Sequence, residues 1–208
     1  MKTFLLQGDS ITDAGRSREN NAVRGYGYPT LVAAELMYDY PGDLRVINRG
    51  ISGNRVVDLY ARIKKDFLNL KPDYLSILIG VNDVWHDYGT EPNGVSDERF
   101  RKVYDLLIEE LKAELPDLKI YILEPFVLRA SATEDRWEDF DREVRLRAKS
   151  AQGSAEKHGL PFVALQDKFD AACEKCEPPY WLGAGEHPTA AGHELIARAL
   201  LETMKKDI

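Results

Sequence analysis

Cysteine is scarce in this chain. Its 208 residues contain two, Cys173 and Cys176. A single C-x-x-C flanked by Glu174, Lys175 and Glu177 lacks the second pair of a structural zinc site, so the two are read as ordinary thiols. Long apolar runs are missing too. The longest, from Leu75 to Val81, is interrupted by Ser76 and falls far short of the ~20 residues of a membrane span. At the N-terminus only Phe4, Leu5 and Leu6 precede polar residues, against an apolar core of about 7–15 residues in a signal peptide. The expectation is therefore a cytoplasmic protein. Positive charge is also in deficit, with 28 Lys and Arg against 35 Asp and Glu and a net charge of -7. A surface of that sign repels phosphates, so neither a nucleic acid nor a membrane is expected as partner. No linker, repeat or low-complexity stretch divides the chain, which reads as one domain over 1–208. A domain of this length buries roughly 70% of its unfolded surface and needs neither disulfide nor metal to fold.

What is present is an alternation of short apolar runs with longer amphipathic ones. Strands are predicted at Thr3–Gln7, Leu44–Asn48, Tyr74–Ile79, Leu118–Leu123 and Pro161–Leu165. Between them, helical spacing runs over Tyr28–Tyr40, Val56–Leu70, a stretch opened by Ser96 and closed before Pro116, and Glu134–Lys157. A last helix is predicted over Pro188–Lys206. Five strands alternating with helices imply an α/β three-layer α/β/α sandwich around a five-stranded parallel sheet. Such open sheets bind ligands beyond the carboxyl ends of their strands. The polar residues at those ends are therefore the ones to read.

The first strand runs into Gly8-Asp9-Ser10-Ile11-Thr12 and the second into Asn48-Arg49-Gly50-Ile51-Ser52-Gly53-Asn54. The third runs into Gly80-Val81-Asn82-Asp83, and Glu186-His187-Pro188-Thr189 stands near the C-terminus. Read alone, Ser10 could be a helix N-cap, Gly53 a turn residue and Asn82 an Asx-turn residue. Taken in order, the four blocks resemble the SGNH (GDSL-type) hydrolase family, with a flavodoxin-like fold. Gly50 to Arg55 and Gly80 to Trp85 are most similar to bacterial acetylxylan esterases and related carbohydrate acetyl esterases. The resemblance implies that Ser10 is the nucleophile and His187 the general base. It also implies an oxyanion hole of the Ser10 and Gly53 backbone N–H groups and the Asn82 side-chain amide. His187 would sit at the helix entry, with Pro188 at the first helical position. No cofactor and no metal are implied. Family relatives often associate, so a homo-oligomer stays open.

Position 184 departs from the pattern. The family places an aspartate three residues before its histidine, and this chain has Ala184 there. An alanine can neither orient the imidazole nor stabilise the imidazolium. The resemblance then implies a weakened or inactive enzyme. Three readings stand: an engineered Asp-to-Ala change, a natural arrangement in which a backbone carbonyl or Glu186 orients His187, and a non-catalytic carbohydrate-binding relative. Spacing speaks against Glu186, because an adjacent side chain need not face the same way.

The implied substrate is an acetyl (short acyl) ester of a carbohydrate such as acetylated xylan or xylo-oligosaccharide. The chain shows no long apolar insertion for a fatty-acyl tunnel. A lysophospholipase or thioesterase of the same family is the alternative within enzymes. Asp9, Trp85, His86, Tyr180 and Trp181 are expected to line the substrate site.

Overall fold

Strand pairing follows directly from the apolar runs. In the computed structural model, which describes residues 1–205, five strands pair in parallel in the order β2-β1-β3-β4-β5. They are β1 (Lys2–Gly8), β2 (Leu44–Asn48), β3 (Tyr74–Leu78), β4 (Lys119–Leu123) and β5 (Phe162–Val163). Each strand is apolar on both faces, as a sheet covered on both sides requires. Register sorts the side chains into two rows. Phe4 lies level with Val46 and Tyr74, while Leu5 lies level with Ile47 and Leu75. The first row belongs to a core that includes residues of α2 (Tyr28–Asp39), α8 (Gln166–Cys173) and α10 (Ala190–Met204). The second row belongs to a core with α3 (Val56–Ala61) and α6 (Asp97–Glu114). The helix α7 (Trp137–His158) supplies Phe140 and Val144 to the first core and Ala151 and Ala155 to the second. The result is the expected three-layer sandwich. Among the described residues, no helix is long and apolar enough to cross a membrane.

Three local departures from the sequence pattern matter. The helix expected over Val56–Leu70 breaks into α3, α4 (Ile63–Asp66) and a 3-10 turn at Leu68–Leu70. Arg62 sits at the break with its guanidinium turned to the sheet. Its Nε donates to Asn54 Oδ1 at 2.8 Å and its Nη1 to Gln7 Oε1 at 2.9 Å. Two short helices, α8 and α9 (Pro178–Trp181), lie where no element was expected, and Pro178 and Pro179 serve the first turn of α9. The last helix begins at Ala190, not Pro188. Thr189 caps it by accepting the Gly192 N–H at 3.3 Å, and Pro188 pairs with Leu182 in an antiparallel bridge. His187 therefore sits in a bridged turn before the helix.

Strand order reverses at β1, where β2 lies on one side and β3 on the other. Crevices at such switch points are the usual ligand sites of open α/β sheets. The loops after β1, β2 and β3 carry the blocks singled out in the sequence.

Candidate active site

Ser10, Gly53 and Asn82 are each carried on the segment that follows a strand. After β1, Asp9 caps the four-residue helix α1 (Ser10–Asp13) by accepting the Ile11 N–H at 2.9 Å. Ser10 is thus the first helical residue, at the sheet edge. A side chain at Gly8 would collide with the Leu78 carbonyl of β3, so only glycine lets the two strand ends approach so closely. The loop after β2 is tied to α1 through side chains. Asn48 Nδ2 donates to the Thr12 carbonyl at 2.6 Å, Arg16 Nε to the Gly50 carbonyl at 2.7 Å, and the Ser52 N–H to Asp13 Oδ2 at 3.0 Å. Gly53 follows at φ 81°, and its N–H has no acceptor among the described residues. After β3, α5 (Val81–Trp85) presents Asn82, whose Nδ2 donates to the Asn54 carbonyl at 3.2 Å. One amide hydrogen holds the neighbouring loop, and the other remains free for a ligand. Asp83 beneath it is fully buried and accepts the Val56 N–H at 3.0 Å. That burial pushes its carboxyl well above the usual range.

The C-terminal turn closes the site. Gly183 N–H donates to the His187 carbonyl at 3.1 Å, and Gly185 adopts φ 115°. A Cβ at Gly185 would lie 2.6 Å from the Leu128 carbonyl, so the left-handed region and the close approach both demand glycine. The turn is anchored further by Ala132 N–H on the Ala184 carbonyl at 3.0 Å. His187 Nε2 then lies 2.8 Å from Ser10 Oγ, across 177 residues of sequence. In the tautomer with Nδ1 protonated, Nε2 is left to accept the Ser10 hydroxyl hydrogen.

At position 184 the chain has no carboxylate, but one arrives from the adjacent position. Glu186 Oε1 lies 3.0 Å from His187 Nδ1. This corrects the expectation from spacing. The tight turn through Gly185 rotates consecutive side chains onto a common face. The Glu186 carboxylate is the largest influence raising the His187 pKa above its ordinary value, with the Asp9 charge adding to it.

Ser10, Ile11, Val81, Asn82, Trp85, Glu186 and His187 line one cavity of about 120 Å³. Beside it lies a shallower depression of about 390 Å³ lined by Trp85, His86, Tyr88, Gly89, Glu91 and Arg136, so Trp85 is the wall they share. Tyr180 is exposed and packs edge-on against Trp181 at 5.1 Å. Trp181 donates from Nε1 to the Cys176 carbonyl at 3.2 Å and lines a separate groove with α8 and α10 residues. Neither ring lines the cleft, contrary to expectation. Nor does Asp9, which is 1% exposed and serves as a buried cap. Sequence reasoning missed Glu186, Ile11 and Val81 as lining residues. The two glycines around Ala184 were the signal of a sharp turn. Cys173 and Cys176 are both free. Among the described residues, no cluster of three His, Cys, Asp or Glu could hold a metal ion.

Burial raises the Asp9 carboxyl to about 7, against 3.8 for an exposed one. Its folded-state pKa exceeds the unfolded one. The stability it confers is present below pH 3.8 and is lost as pH rises through 7. Asp9→Asn keeps the cap oxygen and removes the titration. Relative to wild type, this variant should gain on the order of 2–4 kcal/mol between pH 4 and pH 8. Urea unfolding of both proteins at the two pH values measures the difference. Buried His193, lowered to about 4, titrates alike in both and cancels.

A model of the GDSL-like lipase/acylhydrolase family matches residues 6–195 of the chain. An acetylxylan esterase of Geobacillus stearothermophilus is 34% identical over 212 residues, covering 95% of this chain and 91% of that one. The crystal structure of an acetylxylan esterase from that organism superposes with a TM-score of 0.86 at 32% identity, over 97% of this chain and 93% of that one. An alpha/beta hydrolase enzyme from the metagenome of Lake Arreo, Spain, gives a TM-score of 0.87 at 31% identity, over 98% and 95%.

Proposed function

Because the chain belongs to the GDSL-like lipase/acylhydrolase family and is a carboxylic ester hydrolase, we propose that it removes acetyl groups from carbohydrate through an acyl-Ser10 intermediate. The observation that carries this reading is the 2.8 Å approach of His187 Nε2 to Ser10 Oγ at the floor of a small cleft.

Ser10 Oγ attacks the ester carbonyl carbon as its proton passes to His187 Nε2. The carbonyl oxygen becomes negative and is met by the Ser10 and Gly53 N–H groups and by Asn82 Nδ2. The tetrahedral intermediate collapses. The sugar oxygen leaves with the proton from His187, and acetyl stays on Ser10. A water then gives its proton to His187 and attacks the acetyl carbon. Acetate departs as the proton returns to Ser10.

Cavity size supports a short acyl group. At about 120 Å³ the cleft is well below the roughly 300–1,000 Å³ of pockets that enclose drug-sized ligands. Ile11, Val81 and Trp85 wall it with apolar surface. The adjoining depression, with Trp85 and Tyr88 at its side, suits the sugar of the leaving alcohol.

The test is a series of aryl esters from acetyl to octanoyl, followed by an acetylated xylo-oligosaccharide. kcat/KM should fall by at least about tenfold between acetyl and hexanoyl, since each added methylene must find space the cleft lacks. A flat or rising series would assign the protein to the lysophospholipase and thioesterase chemistry of its family.

A further inference from the structure

We propose that Glu186 is the positioning acid for His187, a role this family gives to the residue three positions before the histidine. The inference rests on the esterase reading above and extends it to a residue that the family pattern does not mark.

The argument begins with what position 184 offers. Ala184 has no side-chain acceptor, and its carbonyl already takes the Ala132 N–H at 3.0 Å. His187 still needs an acceptor at Nδ1. A neutral imidazole with the proton on the wrong nitrogen cannot take one from Ser10. Glu186 Oε1, 3.0 Å from Nδ1, fills that place. The carboxylate is 14% exposed, and His187 is its single hydrogen-bond partner among the described residues. Its Oε2 is buried with no hydrogen-bond partner among the described residues. Holding a carboxylate in that setting is costly unless a cation forms beside it. The cation that forms is the His187 imidazolium, the state that His187 reaches when it takes the proton from Ser10. The charged groups acting on His187 are Glu186 and, more weakly, Asp9. His193, which is neutral until about pH 4, leaves the field at working pH unchanged.

The turn makes the transposition possible. Gly185 at φ 115° and the Leu182–Pro188 bridge bring positions 186 and 187 to one side of the backbone reversal. In an extended segment, neighbouring side chains would point oppositely.

The experiment compares wild type, Glu186→Gln, Ala184→Asp and the double variant Ala184→Asp/Glu186→Gln. Each is assayed with an aryl acetate and titrated at His187 by ¹H–¹⁵N NMR. Glu186→Gln should lower kcat by about 10²–10⁴ with KM within threefold, and the His187 pKa should fall. Ala184→Asp in that background should restore at least tenfold of the lost kcat, while Ala184→Asp alone should change kcat less than threefold. A kcat for Glu186→Gln within threefold of wild type, or a loss of kcat with the His187 pKa unmoved, overturns the proposal. If wild type cleaves none of the esters, the esterase reading falls by itself, and the titration still decides whether Glu186 governs His187.

Discussion

Ser10→Ala is expected to abolish turnover of aryl acetate, with kcat lower by about 10⁴–10⁶. The size follows from what the hydroxyl does. In the proposed mechanism it forms the acyl bond, and its proton is the one His187 takes. The side chain is only half-buried, and its one hydrogen bond among the described residues is with His187 Nε2 at 2.8 Å. Removing the oxygen therefore costs little packing, and the melting temperature should stay within about 3 °C of wild type. His187→Ala should fall to nearly the same floor, and the double variant no lower, because the two groups act as a unit. A fluorophosphonate reagent should add one mass increment to wild type and none to Ser10→Ala. Equal labelling of the two, or turnover by Ser10→Ala within tenfold of wild type, would remove Ser10 from the mechanism.

Asn82→Ala should lower kcat by about 10²–10³, the usual cost of one oxyanion donor, with KM changed less than threefold. The amide meets charge that exists only in the transition state, so ground-state binding has little to lose. The same amide holds the Asn54 carbonyl at 3.2 Å, beside Gly53. Its removal therefore also loosens the loop carrying the second donor. Asn82→Asp loses both donations as well. It keeps the shape but replaces the donor with an acceptor, and it should be at least as impaired as the alanine variant. A defect confined to KM in either protein would make Asn82 a substrate-binding residue.

The sandwich was legible because each strand is a short apolar run punctuated by glycine or proline, as at Gly8, Gly80 and Pro125. Apolar spacing carried the long helices α6 and α7 almost to their ends. It failed where polar side chains turn inward. Arg62 reads as a solvent-facing position of one long helix, yet it binds Asn54 and Gln7 and splits that helix in two. Periodicity counts apolar residues and is blind to such a partner. The proposed catalytic positions stood out in the sequence as blocks following three strands and preceding the last helix. The geometry around His187 did not. Which way Glu186 points depends on the backbone of Gly185, and no spacing rule reports a dihedral angle. The two aromatic residues of α9, Tyr180 and Trp181, misled for the same reason, since Trp181 lines another groove and Tyr180 is exposed against it.

The sequence separation of 177 between Ser10 and His187 also bears on how the molecule assembles. Ser10 opens α1 directly after β1, whose partner strands β2 and β3 follow early in the chain. The turn carrying His187 is held by later segments, through the Ala132 N–H on the Ala184 carbonyl at 3.0 Å, and it leads into α10, where His193 Nδ1 accepts the Tyr28 N–H at 3.2 Å. Contacts of such sequence separation close late, because loop entropy must be overcome before they contribute. In a refolding experiment, ester cleavage is therefore expected to return later than the sheet. Ser10 gains its proposed base only once the last layer is in place.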